Sequence, residues 1–245
     1  MKNKVYRETL LIKTSDCDLS GRWRPSAVLA AMQEASGMHS ERLGCGRQAM
    51  LENNIIWVLS RTELVMNAYP RFGETITLET YPMPARRWFF PRHYFFYNAA
   101  GEVIGRAVGV WVLVDFSQRS MVSPGEVLAL LRDNSDLPKA LDFPGNLDDV
   151  TGEALSLMRS PAYTDIDVNR HVNNTRYADW LCDALGIDAL EDAPIERLLI
   201  HYTKEIKPGE DVILRLTRAD RAFLLSGLDA QGDKRFEIGG TLMGA

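Results

Sequence analysis

A weak internal duplication constrains the fold of this chain more than any other feature of its sequence. Residues 16–35, DCDLSGRWRPSAVLAAMQEA, align without a gap with residues 165–184, DIDVNRHVNNTRYADWLCDA. Further along, two turns that contain Gly recur in the same order, at 69–74 and 207–210 and then at 98–102 and 229–233. A repeat of this length indicates two copies of one domain, because the repeats of a solenoid are shorter.

Both copies have the same predicted order of elements: a strand, an Asp-rich turn, one helix and several further strands. The first helix is expected to begin near Pro25 and to end before Gly44, and the second to end at Gly186. Strands are predicted at 6–13, 55–66, 74–82, 87–98 and 103–116, and at 154–160, 197–206, 211–218, 221–229 and 234–243. The pattern predicts an α+β fold in which each copy wraps one long helix in an antiparallel sheet.

The domain limits follow from a stretch rich in turn residues, 118–150, between the two copies. We predict an N-terminal domain at residues 1–130, a linker at 131–149 and a C-terminal domain at 150–245. A short helix is expected around Glu126–Arg132, within the stretch 118–150.

The composition limits the class of protein. Its 245 residues, 46% hydrophobic and 25% charged, suit a globular chain of two small domains. A net charge of −5 disfavours a general nucleic-acid binder. Three scattered cysteines, Cys17, Cys45 and Cys182, suggest neither a disulfide framework nor a zinc site. We expect a cytoplasmic location and no membrane span, because we find no signal-peptide pattern and no run near the roughly 18 apolar residues of a span.

One segment of the second copy concentrates polar side chains just before the predicted helix. Asp167, Asn169 and His171 occupy alternate positions, which would point them the same way in an extended turn. An acid, an amide and an imidazole in one place can orient and activate water, and helix N–H groups beside them can polarise a carbonyl oxygen. A calcium loop is rejected, because Arg170 replaces the required Gly and Arg176 the required Glu. No metal or cofactor is expected.

The run DIDVNRHVNNTRY, residues 165–177, resembles the hotdog thioesterases and most closely the acyl-ACP thioesterase family of bacteria and plant plastids. A second family signature, of the type Tyr-basic-basic-Glu-Cys, is matched in part by Tyr202-Thr-Lys-Glu205-Ile206. The resemblance covers nearly the whole chain, since the family is itself a double hotdog with its reactive residues in the C-terminal copy. It implies two tandem hotdog domains packed as a pseudo-dimer, and hydrolysis of fatty acyl-ACP to free fatty acid, which ends chain elongation.

Carried over residue by residue, the resemblance implies a catalytic set of Asp167, Asn169, His171 and Glu205. The family's Asp and Glu are given water-activating or nucleophilic roles, and which carboxylate acts directly stays open. Position 206 is Ile where the family has Cys, which argues against a cysteine nucleophile.

The first copy departs from the motif, because Ser20 and Arg22 replace the amide and the imidazole. We therefore expect it not to be catalytic. The resemblance implies that it holds the acyl chain, and Met32 and Trp57 are predicted to contact that chain. The open alternative is that these two residues belong only to the core.

A group of arginines, Arg86, Arg87 and Arg92, is predicted to lie close together, and Arg86 and Arg87 are assigned to substrate binding. On an acidic protein such a group can steer an acidic partner, the acyl carrier protein with its phosphopantetheine-linked acyl chain. An ordinary solvated face is the open alternative. No nucleic acid is expected as a partner, and a homodimer stays possible.

Three other functions stay open from the sequence. The nearest is acyl-CoA hydrolysis by the same chemistry. A hotdog dehydratase or hydratase would act on similar thioesters, although DVNRHVNN does not match the motifs of those enzymes. A protein that binds acyl thioesters without hydrolysing them is the third.

Overall fold

The chain is described from a computed structural model, and it divides into two compact units. The first unit is Met1–Trp23 with Val28–Pro144, and the second is Arg24–Ala27 with Gly145–Ala245. The residues that the structure describes are 4–123, 125, 127–131 and 133–244. The outer residues of the predicted short helix, Glu126 and Arg132, lie outside the described residues.

The first half of the chain combines helices with an antiparallel sheet. In chain order its elements are β1 (Tyr6–Leu11), α1 (Pro25–Leu43), α2 (Arg47–Glu52), β2 (Ile55–Met66), β3 (Thr75–Pro82), β4 (Phe89–Tyr97), β5 (Val103–Asp115) and α3 (Val127–Leu130). The strands pair in the order β1-β3-β4-β5-β2, and every pairing is antiparallel.

The second half repeats this arrangement. Its elements are β6 (Glu153–Arg159), α4 (Arg176–Leu185), α5 (Ile187–Asp192), β7 (Ile195–Tyr202), β8 (Val212–Ala219), β9 (Ala222–Leu228) and β10 (Lys234–Leu242). The strand order β6-β8-β9-β10-β7 is that of the first half, again antiparallel. The predicted α+β fold is confirmed, whereas the short helices α2 and α5 were not predicted. Among the described residues, none of the helices is long and apolar enough to cross a membrane.

From Val28 onward α1 lies on strands of the first unit, and α4 lies on strands of the second, because each helix has a face of mostly apolar residues. On α1 the buried residues recur every three or four positions: Val28, Leu29, Met32, Ala35, Ser36, His39 and Leu43. Hydroxyl groups join this face to β4, since Ser36 Oγ lies 2.7 Å from the Tyr94 hydroxyl. On α4 the ring of Tyr177 stacks on Phe236 of β10, with centroids 4.1 Å apart. Burial of such a large side chain stabilises the fold by about 1.5–3 kcal/mol.

Much of the predicted linker is packed on the first unit. The Asn134 amide donates to the carbonyl oxygen of Pro82 at 2.7 Å, and the Tyr81 hydroxyl donates to that of Pro138 at 2.6 Å. The N–H of Ala140 donates to Nδ1 of His93 at 2.9 Å. These buried bonds explain why the chain stays with the first unit as far as Pro144.

Candidate active site

The segment from Asp167 to His171 forms a closed turn. The Asp167 N–H donates to the carbonyl oxygen of His171 at 2.8 Å, and the Arg170 N–H donates to that of Asp167 at 3.0 Å. Arg170 has a φ of +61°, in the left-handed region that few side chains adopt. The segment is a turn, as expected, but it is closed rather than extended, so strand alternation does not describe it.

The carboxylate of Asp167 builds this turn. Its Oδ1 accepts the N–H of Asn169 at 2.8 Å and that of His171 at 3.4 Å, as in an Asx turn. Its Oδ2 accepts a longer bond, 3.3 Å, from the Asn169 side-chain amide. Asp167 therefore holds both predicted neighbours in place.

Glu205 reaches the turn from a distant part of the chain. Its Oε2 lies 3.1 Å from Nε2 of His171, whose side chain is about one-fifth exposed. The next residue, Ile206, is buried and its carbonyl oxygen accepts the N–H of Val172 at 2.8 Å. The structure thus brings Asp167, Asn169, His171 and Glu205 together in the second unit.

Neighbouring residues of the motif support the turn and the start of the helix. The Asn173 side-chain oxygen accepts the N–H of Thr175 at 3.0 Å and its hydroxyl at 2.9 Å, directly before α4. Asp165 is buried, and its Oδ2 accepts the N–H of Ala162 at 2.8 Å. These polar groups stabilise the backbone from which the candidate site projects.

Tyr177 lies near the candidate site, although the sequence predicted for it only a position on the apolar face of a helix. Burial raises the pKa of its phenol; the Arg235 guanidinium opposes that rise, and the Asp167 and Glu205 carboxylates add to it. The phenol therefore stays neutral and keeps its proton near two carboxylates. Its place at the end of the motif was the available signal.

The same turn occurs in the first unit without an imidazole. Asp18 Oδ1 accepts the N–H groups of Ser20 and Arg22, each at 2.9 Å. Asp18 Oδ2 pairs with Nε of Arg22 at 3.1 Å. Gly21, with a φ of +72°, occupies the left-handed position.

The predicted carrier-binding arginines differ in exposure. Arg86 and Arg87 are exposed, and the Arg86 guanidinium lies 5.4 Å from the ring centroid of Phe143. Arg92 is buried and donates to Nδ1 of His39 at 3.0 Å. The prediction that it joins a surface group was wrong, because it lies within β4, and burial lowers its pKa.

The two predicted acyl-chain contacts lie in apolar surroundings. Met32 is buried on α1. Trp57 donates its indole N–H to the carbonyl oxygen of Cys45 at 3.0 Å and meets Phe90 edge-on, with centroids 4.9 Å apart. Packing accounts for both positions, and contact with an acyl chain stays a prediction. In the described ranges, His, Cys, Asp and Glu form no group of three suited to a metal ion.

Comparison with solved structures shows the same fold in two thioesterases. An acyl-ACP thioesterase from Bacteroides thetaiotaomicron has a TM-score of 0.89 at 21% identity, with 99% of each chain covered. The 12:0-ACP thioesterase from Umbellularia californica has a TM-score of 0.84 at 21% identity, with 98% of each chain covered. The prediction of two tandem hotdog domains is confirmed.

Sequence comparison identifies the family. The palmitoyl-acyl carrier protein thioesterase of Gossypium hirsutum is 30% identical over an alignment of 188 positions that covers 74% of this chain and 45% of that protein. The dodecanoyl-[acyl-carrier-protein] hydrolase of Cinnamomum camphora is 26% identical over an alignment of 255 positions that covers 98% of this chain and 66% of that protein. The chain spans about half the length of the plant relatives that it matches. The family models for the acyl-ACP thioesterase N-terminal and C-terminal domains match residues 3–130 and 151–232, so the chain belongs to the acyl-ACP thioesterase family.

Proposed function

We propose that this protein hydrolyses the thioester bond of a fatty acyl-ACP and releases a free fatty acid, which ends chain elongation. The observation that carries the proposal is the 3.1 Å contact between His171 and Glu205, beside the turn built by Asp167. An imidazole oriented by a carboxylate is the arrangement of a general base. Family membership supports thioester hydrolysis, and the names of the plant relatives support the carrier-bound substrate.

We assign proton transfer to the His171–Glu205 pair. The pair takes a proton from water, and the oxygen of that water attacks the thioester carbonyl carbon. The carbon–sulfur bond then breaks, and the leaving thiolate receives the proton. The products are a carboxylic acid and the free thiol of the phosphopantetheine arm.

We assign a different role to Asp167. Its Oδ1 is already bonded to two main-chain N–H groups, so it is better suited to holding Asn169 and His171 than to taking a proton. The exposed Asn169 side chain is assigned to the attacking water or to the carbonyl oxygen, where a fixed donor stabilises developing negative charge.

The rest of the chain is assigned to substrate recognition. Residues 150–245 would carry the chemistry and residues 1–130 would bind the acyl chain, with Met32 and Trp57 among the contacts. Arg86 and Arg87 are exposed and suited to an acidic carrier protein. The proposed partner is the acyl carrier protein with its phosphopantetheine-linked acyl chain.

The test compares two thioesters of the same fatty acid. Purified protein is incubated with acyl-ACP and with acyl-CoA, and the release of free thiol is measured over time, with Asp167→Asn as the inactive control. We expect a higher kcat/KM for acyl-ACP. Equal or faster release from acyl-CoA would favour the acyl-CoA alternative, and the absence of release from both would refute thioester hydrolysis.

A further inference from the structure

The Glu205 segment, residues 203–206, is held by one residue of β10. The carbonyl oxygen of Arg235 accepts the N–H groups of Thr203 and Lys204, each at 3.0 Å. The Arg235 guanidinium reaches the same segment, because its Nη1 donates to the main-chain oxygen of Glu205 at 3.0 Å. On the far side of Glu205, Ile206 is bonded to the strand-like end of the active-site turn. Glu205 therefore sits between two fixed points.

Arg235 is itself fixed by a carboxylate. Its Nε donates to Oδ2 of Asp229 at 3.0 Å, and both side chains are about nine-tenths buried. Oδ1 of Asp229 accepts the N–H groups of Gln231 and Asp233 at 3.0 and 2.9 Å. Oε2 of Glu210 lies a further 3.8 Å from Nη1 of Arg235. A guanidinium with little access to water is costly unless it is paired, so the close bond to Asp229 is the main constraint on where its remaining N–H groups point.

The first unit builds the same backbone without the charged pair. There Asn98 caps the equivalent hairpin turn with its side-chain oxygen, and Ile104 takes the position of Arg235. The Ile104 carbonyl oxygen accepts the N–H groups of Asn67 and Ala68 at 2.8 and 3.2 Å, as that of Arg235 does in the second unit. The hairpin and the main-chain contact therefore do not require Asp and Arg at these positions.

We propose that Arg235, anchored by Asp229, is a positioning residue that sets where the Glu205 carboxylate meets His171. The inference rests on the proposed function, in which the His171–Glu205 pair transfers the proton. Its basis is that two differences between the units occur together. The unit with the Asp229–Arg235 pair is also the unit with Glu205, whereas the other unit has Asn98, Ile104 and Tyr69 at the equivalent positions. A shift of about 1 Å in a reacting group can cost about 10²-fold in rate. Loss of the bond that holds the main chain of Glu205 is therefore expected to lower kcat strongly.

The experiment replaces the guanidinium with an unbranched apolar side chain. In Arg235→Met we expect kcat on acyl-ACP to fall about 10- to 100-fold with little change in KM, because the substrate contacts are not touched. Arg235→Lys, which keeps the charge but loses the fork, should recover part of the loss. Ile104→Met is the matched control in the first unit and should leave kcat unchanged. Unaltered kcat in folded Arg235→Met would overturn the proposal.

A double variant shows whether Arg235 acts through Glu205. In a Glu205→Gln background, Arg235→Met should cause little further loss, since the two residues act as one unit. Losses that multiply would overturn the positioning role. If Arg235→Met does not fold, Asp229→Asn replaces it, because Asn98 shows that an amide can cap this hairpin; here too kcat should fall with KM kept, and wild-type kcat would count against the proposal.

Amide hydrogen exchange separates this inference from the proposed function. Residues 203–206 should exchange faster in Arg235→Met than in the wild type, whereas residues 67–69 should not change in Ile104→Met. Unchanged exchange at 203–206 would overturn the positioning role whatever the enzyme hydrolyses. Conversely, a wild type that releases no thiol, together with faster exchange in Arg235→Met, would refute only the proposed function.

Discussion

The turns at Asp18 and Asp167 share a backbone and differ in their side chains. In both, the Asp N–H donates at 2.8 Å to the carbonyl oxygen four residues later, and one carboxylate oxygen accepts two main-chain N–H groups. In the first turn Arg22 pairs with the second oxygen of the carboxylate. In the second turn His171 occupies that position and contacts Glu205 instead. A side-chain oxygen of the Asp shapes the turn in both units, but only the second turn presents an imidazole.

The segments that are hydrogen-bonded to the two turns also share a backbone arrangement and differ in their side chains. Trp23 donates its N–H to the carbonyl oxygen of Pro70, and Val172 donates to that of Ile206, each at 2.8 Å. The residue before Ile206 is Glu205, whereas the residue before Pro70 is Tyr69. A few side chains on a common backbone therefore distinguish a structural turn from a candidate catalytic one.

The largest expected effect comes from the matched pair Asp167→Asn and Asp18→Asn. An amide oxygen can still accept the main-chain N–H groups, so both turns should form. Asn lacks the negative charge and the second oxygen, Oδ2, which accepts the Asn169 side-chain amide. We therefore expect kcat to fall about 10²- to 10⁴-fold in Asp167→Asn, the usual cost of a lost electrostatic group, and to stay near the wild-type value in Asp18→Asn. Thiol release is the measurement, with folding checked by circular dichroism. Equal turnover in the two variants would contradict the distinction between the turns.

Making the second turn like the first should have the next largest effect. In His171→Arg the guanidinium can pair with Asp167 as Arg22 pairs with Asp18, so we expect the fold to persist while kcat falls about 10²-fold or more. The reciprocal Arg22→His should add no activity, because Tyr69 stands where a carboxylate would be needed. Thermal unfolding and thiol release together test this. A His171→Arg variant that is stable and fully active would exclude His171 from proton transfer.

Local patterns in the sequence predicted most of the fold, because strands, hairpins and helix ends have local signals. Gly186, with a φ of +87°, ends α4 where expected. The closed turn at Asp167 was not predicted, since its shape depends on which N–H groups the carboxylate accepts. The roles of Arg235 and Asp229 were also missed, because the bond to Glu205 joins residues far apart in the chain. Arg92 was misplaced because charge alone suggests exposure, whereas a buried partner can satisfy a guanidinium.

A smaller effect is expected from the arginines of the first unit. We expect Arg86→Glu with Arg87→Glu to raise KM for acyl-ACP about three- to tenfold and to leave a short thioester mimic unaffected, because only the carrier protein presents an acidic surface. The rise should shrink at high salt, since exposed charges are screened over about 8–10 Å near physiological ionic strength. The control is Arg215→Glu, an exposed arginine on β8 of the second unit. An equal loss on both substrates would indicate a structural role for Arg86 and Arg87.

The smallest expected effect concerns two cysteines, one in each unit: Cys182 on α4 and Cys17 beside the Asp18 turn. Cys182 lies on α4, six residues after the helix begins and so about 9 Å along its axis. Cys17 adjoins the Asp18 turn, where its thiol lies 3.2 Å from the carbonyl oxygen of Lys13. The position where the resemblance implies a cysteine is Ile206, a buried residue that tethers the turn through its main chain. A thiol nucleophile is therefore not expected.

Accordingly, Cys182→Ser and Cys17→Ser should each keep kcat within about twofold of the wild type, the range of substitutions that disturb neither packing nor chemistry. Treatment of the wild type with a thiol-alkylating reagent should also leave turnover unchanged. Free thiol from the substrate would consume the reagent, so alkylation has to precede the assay. A folded Cys182→Ser without activity would point to a covalent acyl-cysteine intermediate and would remove His171–Glu205 as the pair that activates water. Loss of activity in Cys17→Ser alone would instead mean that the turn of the first unit takes part in catalysis, which would break the comparison between the two units.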